Sequence, residues 1–393
     1  MNNRELFHAT MSGENGKQLL HMEQGFNIPY DSWLKDGLPS DVENCEYPTL
    51  GKRRNLFDYM NVTGYFYCYL DQFCIPKFDE VLIEESADTK VYRNRNGVVL
   101  KERTKVSVKG TRSASPPQEI DFTIATEKAY MENRYRLTGN IELRYDKQWL
   151  ADNAEAIRNC RDCLPSLHVH GPYAYLRELM GNVNAMVLPY EEPSLIKMIL
   201  DDHLETSMAA AEPIIKACKP DMCFVWEDCC GSTGPFIAPA IFDELMAPWY
   251  RSFKDYLVSM GVKWIMLDTD GDPSPLVRRW YEAGVDCMQP WEVNGVDMLK
   301  FAEEYPQYVM MGGIYKHMFE PNDPAQVGRF KTTDIHEAID IELKRVVAPM
   351  TKRGRYIAAL DHWSFWGTTF GGYKHYSDRL LDYGKVNTVT RLI

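Results

Sequence analysis

Residues 262–271, VKWIMLDTDG, join a short apolar run to two carboxylates and a glycine. The same arrangement recurs through the second half of the chain, where short apolar runs end on acidic, His or Gly residues and a helical pattern follows. The other runs are Met222–Trp226, Val285–Met288, Tyr308–Met311 and Tyr356–Leu360. Strands that alternate with helices pair in parallel, so their C-terminal ends open on one face of the sheet. The pattern predicts an α/β fold, a (β/α)8 TIM barrel, with its functional site on that face.

The composition is that of an ordinary globular protein with an acidic balance. A length of 393 residues allows one barrel with an added N-terminal part. The net charge of -12 argues against nucleic acid, because phosphate binding needs clustered Lys and Arg. No apolar stretch approaches the roughly 20 residues that cross a bilayer, and the N-terminus lacks the apolar core of a signal peptide. We expect a cytoplasmic protein that binds neither nucleic acid nor membrane, with its ten cysteines as reduced thiols.

The first part of the chain is less regular than the second. Residues 91–108, VYRNRNGVVLKERTKVSV, predict a β-hairpin that turns at Asn96-Gly97, and we interpret it as an exposed ribbon without a chemical role. We assign residues 1–140 to an N-terminal segment with the first barrel elements and the hairpin insertion. Residues 141–393 form the main body of the barrel, within one continuous domain. The two opening strands are expected in the first half, at positions that the pattern leaves open.

Asp268 and Asp270 are the sharpest signal of chemistry. Residues i and i+2 at a strand end point the same way. Two carboxylates roughly 4 Å apart repel by about 4 kcal/mol at an effective dielectric constant of about 20, so a shared proton, a basic partner or a metal ion must offset them. His362 follows another apolar run, and Asp268, Asp270 and His362 together are a predicted ligand set for a divalent cation. The alternative is that residues 270–272 only form a turn and cap the next helix.

Other polar and aromatic residues at these strand ends are candidates for catalysis or substrate binding. Glu227 is a candidate general acid, with an N-cap or a surface pair as the alternative. The predicted catalytic set is Glu227, Asp270 and His362. The predicted substrate-binding residues are His170, Trp226, Asp228, Trp291, Glu292, Asp361 and Trp363. The aromatic residues among them, with Phe365 and Trp366, suit an apolar or aromatic small molecule, and packing at the barrel rim is the alternative.

Five stretches, in this order, resemble the uroporphyrinogen decarboxylase superfamily. They are GPFIAPAIFDELMAPWYRSFKDYLVSMGV (234–262), WIMLDTDGD (264–272), YEAGVDCMQPWEVNGVDMLKFAEEY (281–305), MMGGIYK (310–316) and RYIAALDH (355–362). The resemblance covers residues 140–393 well and the preceding part loosely. It implies a TIM barrel with its site at the C-terminal face, which agrees with the strand pattern above.

Within the superfamily, the chain resembles an Asp-x-Asp-Gly subgroup near the cobalamin-linked methyltransferases. That branch binds zinc through a His-x-Cys-Gly motif and a later Cys. Here Asp268-Thr269-Asp270-Gly271 takes the place of the motif, and His362 falls near the later Cys position. The resemblance therefore implies an oxygen-rich site for zinc or another divalent metal. The decarboxylase branch carries an Arg-rich segment that clamps propionates, whereas residues 21–39 here contain no Arg, which disfavours porphyrinogen decarboxylation.

On this resemblance we expect a methyltransferase that demethylates a small methoxylated, aromatic compound and passes the methyl group to the corrinoid of a separate protein. An aryloxide is a poor leaving group unless its oxygen is protonated or bound to a Lewis acid as the methyl group departs. The chain has no corrinoid-binding Asp-x-His-x-x-Gly segment, so the corrinoid must arrive on a partner. The resemblance also suggests a homodimer. Two alternatives stay open: a related decarboxylase of an unidentified acid, and a non-catalytic barrel that binds a corrinoid or another ligand.

Overall fold

The computed structural model describes residues 1–16, 18–45, 54–103, 117–364 and 367–384. In chain order, the strands in these ranges are β1 (Leu20–His21), β2 (Tyr65–Tyr69), β3 (Val81–Glu85), β4 (Thr89–Arg93), β5 (Val98–Arg103), β6 (Gln118–Phe122), β7 (Leu164–His170), β8 (Met222–Trp226), β9 (Cys230–Gly231), β10 (Gly234–Pro235), β11 (Trp264–Asp268), β12 (Cys287–Gln289), β13 (Val309–Met311) and β14 (Tyr356–Ala358).

The α-helices of the same ranges are α1 (Asn3–Ser12), α2 (Tyr30–Lys35), α3 (Leu56–Tyr59), α4 (Glu127–Thr138), α5 (Lys147–Asn159), α6 (Pro172–Met180), α7 (Asn182–Glu191), α8 (Pro193–Cys218), α9 (Pro239–Ile241), α10 (Ala247–Ser259), α11 (Val277–Glu282), α12 (Met298–Glu304), α13 (Pro324–Phe330), α14 (Ile335–Arg353) and α15 (Phe370–Tyr383). Short 3-10 helices lie at Ile141–Leu143 and Lys316–Phe319, and a π-helical turn at Phe242–Met246 joins α9 to α10. Across the described ranges, no helix is both long and apolar enough to span a membrane.

Eight strands of the described residues form one parallel sheet in the order β1-β14-β13-β12-β11-β8-β7-β2. The sheet is curled and flanked by helices, which is consistent with a TIM-like barrel and confirms the predicted parallel α/β arrangement. The structure also locates the two opening strands, β1 and β2, at the ends of the strand order. These ends approach one another, because Met22 forms an isolated parallel bridge with Thr63, whose N–H donates to the carbonyl of His21 at 2.9 Å.

The alternation of side chains along each strand divides the apolar residues into an inner and an outer cluster. In β8, Met222 and Phe224 face the inner cluster, whereas Cys223 and Val225 pack under the helices. The inner cluster also includes Leu6, Phe7 and Met11 of α1. Helix α1 therefore contributes to the core on the inner face of the curled sheet.

The connection from β2 to α4 contains a separate antiparallel sheet, in the order β3-β4-β5-β6. Strands β4 and β5 form the predicted hairpin, with Gly97 at a φ of 87° in the turn. The hairpin is the centre of a four-stranded sheet in the described ranges rather than an isolated ribbon. The last residues of the predicted hairpin, 104–108, lie outside the described residues.

The expectation of reduced cysteines is wrong at one place. Cys160 and Cys163 form a disulfide, because the short turn between α5 and β7 brings their Cα atoms within 6.2 Å. The other eight cysteines are free and buried.

Arg144 joins the segment that follows β2 to the C-terminal end of α4. Its buried guanidinium donates to five carbonyl oxygens, and they belong to Asp71, Phe73, Arg136, Leu137 and Gly139. Each such bond compensates part of the cost of burying a charge. One side chain therefore fixes the base of the excursion that comprises β3 to β6 and α4.

Replacing this guanidinium with an apolar side chain is expected to destabilise the protein. Arg144→Met leaves the five carbonyls without their donor, and we expect the free energy of unfolding in urea to fall by at least about 3 kcal/mol. Arg278→Met is the control, because Arg278 is exposed and pairs only with Glu282 one turn away, and it should change stability by less than about 0.5 kcal/mol. Equal losses in the two variants would contradict this role for Arg144.

Candidate functional site

A cavity of about 330 Å³ opens at the C-terminal ends of neighbouring strands of the parallel sheet. Its lining residues come from β2, β7, β8 and β11 and from two loops. They are Gln24, Tyr67, Tyr69, His168, His170, Phe224, Trp226, Asp268 and Trp363. Successive lining residues on a strand are two apart, because only every second side chain points inward.

The cavity walls are aromatic and uncharged. The His168 ring stacks on Phe224 at 5.3 Å between centroids and contacts Tyr67 at 5.0 Å, and His170 meets Trp226 edge-on at 5.1 Å. Burial lowers the pKa of His168 to about 3 and that of His170 to about 4, so both imidazoles are neutral near pH 7. These rings form a wall suited to an apolar or aromatic ligand.

Asp268 is the only acidic residue among those that line the cavity in the described structure. Its Oδ1 accepts hydrogen bonds from the side-chain amides of Gln24 at 3.0 Å and Gln289 at 3.4 Å. Burial, with the nearby negative charges of Asp270 and Asp228, raises the pKa of Asp268 well above its usual range. The raised pKa favours the protonated carboxyl, which can donate a proton to a ligand in the cavity.

Asp270 and His362 lie together beside the cavity, and Glu292 completes the group. One ligand atom from each of these residues lies within 4.8 Å of the other two, and Nε2 of His362 is 3.5 Å from Oδ2 of Asp270. Two carboxylates and one imidazole suit zinc, manganese or magnesium. Asp268, which was predicted as a ligand, is not part of this group, because its carboxyl faces the cavity and bonds to Gln24 and Gln289.

Gly271 allows the loop that carries Asp270 to pack closely. Its φ is +80°, and a Cβ there would lie 2.6 Å from the carbonyl oxygen of Gly231. Its N–H donates to Oε2 of Glu292 at 2.8 Å, which holds the Glu292 carboxylate beside Asp270.

The structure places Glu227 away from the cavity, on the helix side of the sheet. Side chains alternate along β8, so Trp226 points toward the cavity and the next residue, Glu227, points toward the helices. The buried Glu227 carboxyl accepts hydrogen bonds from the Ala174 N–H in the first turn of α6 and from the Tyr250 hydroxyl. A Cβ at Gly171 would lie 2.5 Å from its carboxyl carbon, so glycine makes this approach feasible. The predicted role of Glu227 as a general acid therefore lacks access to the cavity, and its carboxyl instead joins β8 to the first turn of α6.

The remaining predicted residues occupy supporting positions. Asp228 pairs with Arg177 at 2.7 Å, and the same guanidinium lies 4.6 Å from the Trp226 ring centroid.

Trp291 is fully buried in the outer core, so it cannot touch a ligand in the cavity. Asp361 accepts backbone N–H groups of Val293 and Lys316, and burial raises its pKa to about 6. The predicted aromatic residues 365 and 366 lie outside the described residues.

Several lining residues were not among the predicted site residues. His168 precedes His170 by two positions, so strand alternation alone indicates that it lines the same cavity. Tyr67 and Tyr69 follow the same rule on β2, whose position the apolar pattern did not reveal. Gln24 lies in the loop after the two-residue strand β1, where no local signal marks it.

The comparisons with known proteins concern the fold. No protein-family model matches the chain, and no curated protein matches its sequence. Among solved structures, the chain is similar to a methyltransferase from Methanosarcina mazei, with a TM-score of 0.54 and 11% sequence identity over 98% of this chain and 99% of that chain. At this identity the likeness shows a shared fold alone.

The buried carboxyl of Glu227 should make stability depend on pH. Burial raises its pKa from 4.5 to about 7, so between these values the folded protein binds more protons than the unfolded chain. The free energy of unfolding therefore falls as pH rises from 4.5 through 7, by about 3 kcal/mol for this group. In Glu227→Gln we expect that part of the decline between pH 5 and pH 8 to disappear from urea unfolding curves. Glu212→Gln, at an exposed helical ion pair, should keep the full decline.

Proposed function

We propose that this chain is a methyltransferase that removes the methyl group of a small methoxylated aromatic compound and passes it to the corrinoid of a separate protein. The observation that carries the proposal is the position of a buried carboxyl, Asp268, in the wall of an aromatic cavity, because demethylation of an aryl ether is helped by a proton donor at the ether oxygen. The fold shared with a methyltransferase supports the reaction class.

The cavity fits a small aromatic ether in size and polarity. Its volume of about 330 Å³ is at the lower end of ordinary small-molecule sites. Oε1 of Gln24 is buried without a hydrogen-bond partner among the described residues, while the amide of the same side chain bonds to Asp268. A ligand would satisfy both side chains if it donated a hydrogen bond to Gln24 and carried, next to that donor, an oxygen that Asp268 protonates. A phenolic hydroxyl next to the methoxy group meets this requirement.

The chemistry balances with the residues present and a cobalt(I) acceptor. The bond between the methyl carbon and the ether oxygen breaks, both electrons of that bond stay with the oxygen, and the methyl carbon bonds to the cobalt. Asp268 transfers its proton to the oxygen, so the leaving group departs as a phenol rather than a phenolate. The ionised Asp268 is stabilised by the two amide donors on Oδ1 and regains a proton from solvent.

Asp270, Glu292 and His362 would hold a divalent ion, zinc or another metal of similar ligand preference, beside the cavity. Such an ion would supply Lewis acidity near the ether oxygen. The residues themselves orient the loop after β11, through the bond from Gly271 to Glu292.

The decarboxylase alternative has less support. A substrate acid needs a cationic partner when it enters a cavity with aromatic walls. None of the residues that line the cavity in the described ranges is Lys or Arg, and the lining carboxyl of Asp268 would repel a carboxylate when ionised.

We also propose that the curled parallel sheet is a (β/α)8 barrel of the uroporphyrinogen decarboxylase type, which closes through the pairing near Met22 and Thr63. A cytoplasmic location and a homodimer remain predictions from the sequence.

The first test follows the cobalt spectrum while the purified protein is mixed with reduced corrinoid and a panel that includes 2-methoxyphenol and methoxybenzene. We expect methylated cobalt, with 2-methoxyphenol the better substrate. Asp268→Asn cannot donate the proton and should lower kcat by at least about 100-fold, with the smallest loss for ethers of acidic phenols. The kcat of the unaltered protein should fall as pH rises through the raised pKa of Asp268.

Asp272→Asn is the matched control, because Asp272 lies in the same loop and caps the turn at Ser274. It should keep kcat within about twofold. A panel-wide failure to methylate cobalt, with divalent metal supplied, would exclude the proposed reaction, and a normal rate in Asp268→Asn would exclude Asp268 as the acid.

The metal group can be tested by equilibrium dialysis against zinc and manganese. We expect one ion per chain, bound at least about tenfold more weakly in His362→Ala and in Glu292→Gln because each variant removes one ligand. His375→Ala removes a histidine that contacts only Asp340 and His336 among the described residues, and it should bind the ion normally. Equal affinities in His362→Ala and His375→Ala would mean that the ion lies elsewhere.

A further inference from the structure

One ring nitrogen of His170 meets a buried side chain, and the other is free to contact a ligand. The ring lines the cavity and also a second hollow of about 550 Å³ that shares Tyr69 with it. Nδ1 of His170 lies 3.3 Å from Oε1 of Gln72, a buried residue in the segment that follows β2. Nε2 of His170 makes no hydrogen bond within the ranges that the structure describes. What Nε2 can offer to a ligand therefore depends on the partner of Nδ1.

The side-chain amide of Gln72 can take only one orientation. Its Oε1 lies 2.7 Å from the backbone nitrogen of His170. A backbone N–H can only donate, so the atom that faces it must be the carbonyl oxygen of the amide. On the other side, Nε2 of Gln72 donates to Nε2 of His203 at 2.7 Å and to Oγ of Ser207 at 2.9 Å. One backbone N–H thus fixes which end of the amide meets which histidine.

Helix α8 holds the far end of this network. His203 and Ser207 are buried and lie one turn apart on the same face of the helix. The His203 ring stacks on the rings of Tyr175 and Trp249, with centroid distances of 3.9 Å and 5.4 Å. Burial lowers the pKa of His203 well below its usual value, so the ring is neutral and its Nε2 can accept from Gln72. The amide of Gln72 is therefore held from both sides.

These contacts determine where His170 carries its proton. The carbonyl oxygen of Gln72 accepts, so Nδ1 of His170 must be the nitrogen that donates. Burial lowers the pKa of His170 to about 4, so the ring is neutral near pH 7 and has a single ring proton. Its Nε2 therefore bears a lone pair and acts only as an acceptor. An unsubstituted aromatic ring has no group to donate to this nitrogen, whereas a hydroxyl group does.

We propose that Gln72 is a positioning residue that holds His170 as a hydrogen-bond acceptor, and that the cavity selects an aromatic ether with a second hydroxyl, beyond the one that Gln24 accepts. The inference rests on the proposed function for the identity of the ether, and it adds a polar contact that selects among such compounds. Gln24 lies in the loop after β1 and His170 at the end of β7, so the two acceptors meet different positions of the ligand.

The proton position can be measured by NMR of the imidazole nitrogens, without any reaction. The signals that His170→Phe removes identify His170, and we expect its proton on Nδ1 at pH 7. Gln72→Met has a similar size but no acceptor, so the proton should move at least partly to Nε2. The carboxylate of Gln72→Glu should raise the pKa of His170, and above that pKa the proton should stay on Nδ1. Gln148→Met, at an exposed glutamine of α5 that bonds to Asp152, should leave the signals unchanged.

The ligand preference can be measured by calorimetric titration, which needs no methyl acceptor. The probes are 2-methoxyphenol and the methoxybenzenediols that keep a hydroxyl next to the methoxy group. We expect the best diol to bind the unaltered protein at least about fivefold more tightly than 2-methoxyphenol, because its second hydroxyl donates to His170. In Gln72→Met this preference should fall below about twofold, whereas Gln148→Met should keep it.

The other outcomes overturn the proposal in distinguishable ways. A proton on Nε2 of His170 in the unaltered protein contradicts the positioning role of Gln72, and so does an unchanged tautomer in Gln72→Met, whose fold is checked by its unfolding midpoint. Equal affinities for 2-methoxyphenol and every diol exclude the second hydroxyl. Binding with the expected preference but without methylation of cobalt excludes the transferase and leaves the roles of Gln72 and His170 intact. Methylation of cobalt without the preference does the reverse.

Discussion

The alternation of side chains along parallel strands is the constraint on which the site depends. At the C-terminal edge of the sheet, a shift of one residue decides whether a side chain meets the cavity or the helices. Trp226 faces the cavity, and Glu227, the next residue, faces α6. On the adjacent strand, Met266 belongs to the inner cluster and Asp268 continues the inward row.

This parity separates two buried carboxyl groups that are close in the sheet. The N–H of Glu227 donates to the carbonyl of Asp268 at 2.9 Å, yet their side chains lie on opposite faces. Burial raises the pKa of both, but their surroundings differ. Glu227 is held by a helix N-terminus and a hydroxyl that stabilise its position, whereas Asp268 has two amide donors on one oxygen and a cavity beside it. The first arrangement stabilises a junction between sheet and helix, and the second leaves a carboxyl facing the cavity.

The features that follow from local pattern could be predicted from the sequence. Apolar runs that end on polar residues indicated the parallel sheet and the edge where Asp270 and His362 meet. The two-residue strand β1 has too little apolar sequence to stand out, and β2 is followed by an antiparallel sheet rather than by a helix, so Gln24, Tyr67 and Tyr69 were missed. Trp291 was predicted to bind substrate but lies in the core. An aromatic residue that follows a strand can pack in the core as well as at the rim of the cavity. Glu292 lies beside Asp270 and His362 because of the conformation of the loop after β12. The order of the strands does not predict that conformation.

The guanidinium of Arg144 closes the base of the excursion that comprises β3 to β6 and α4. Because its two ends are tied together at that point, the length and surface of the excursion can vary while the strands beneath it keep their positions. Substitutions in the excursion can thus accumulate without altering the aromatic chamber. Such an architecture lets the outer surface and the chamber diverge separately in evolution, with one cationic side chain as the boundary between them.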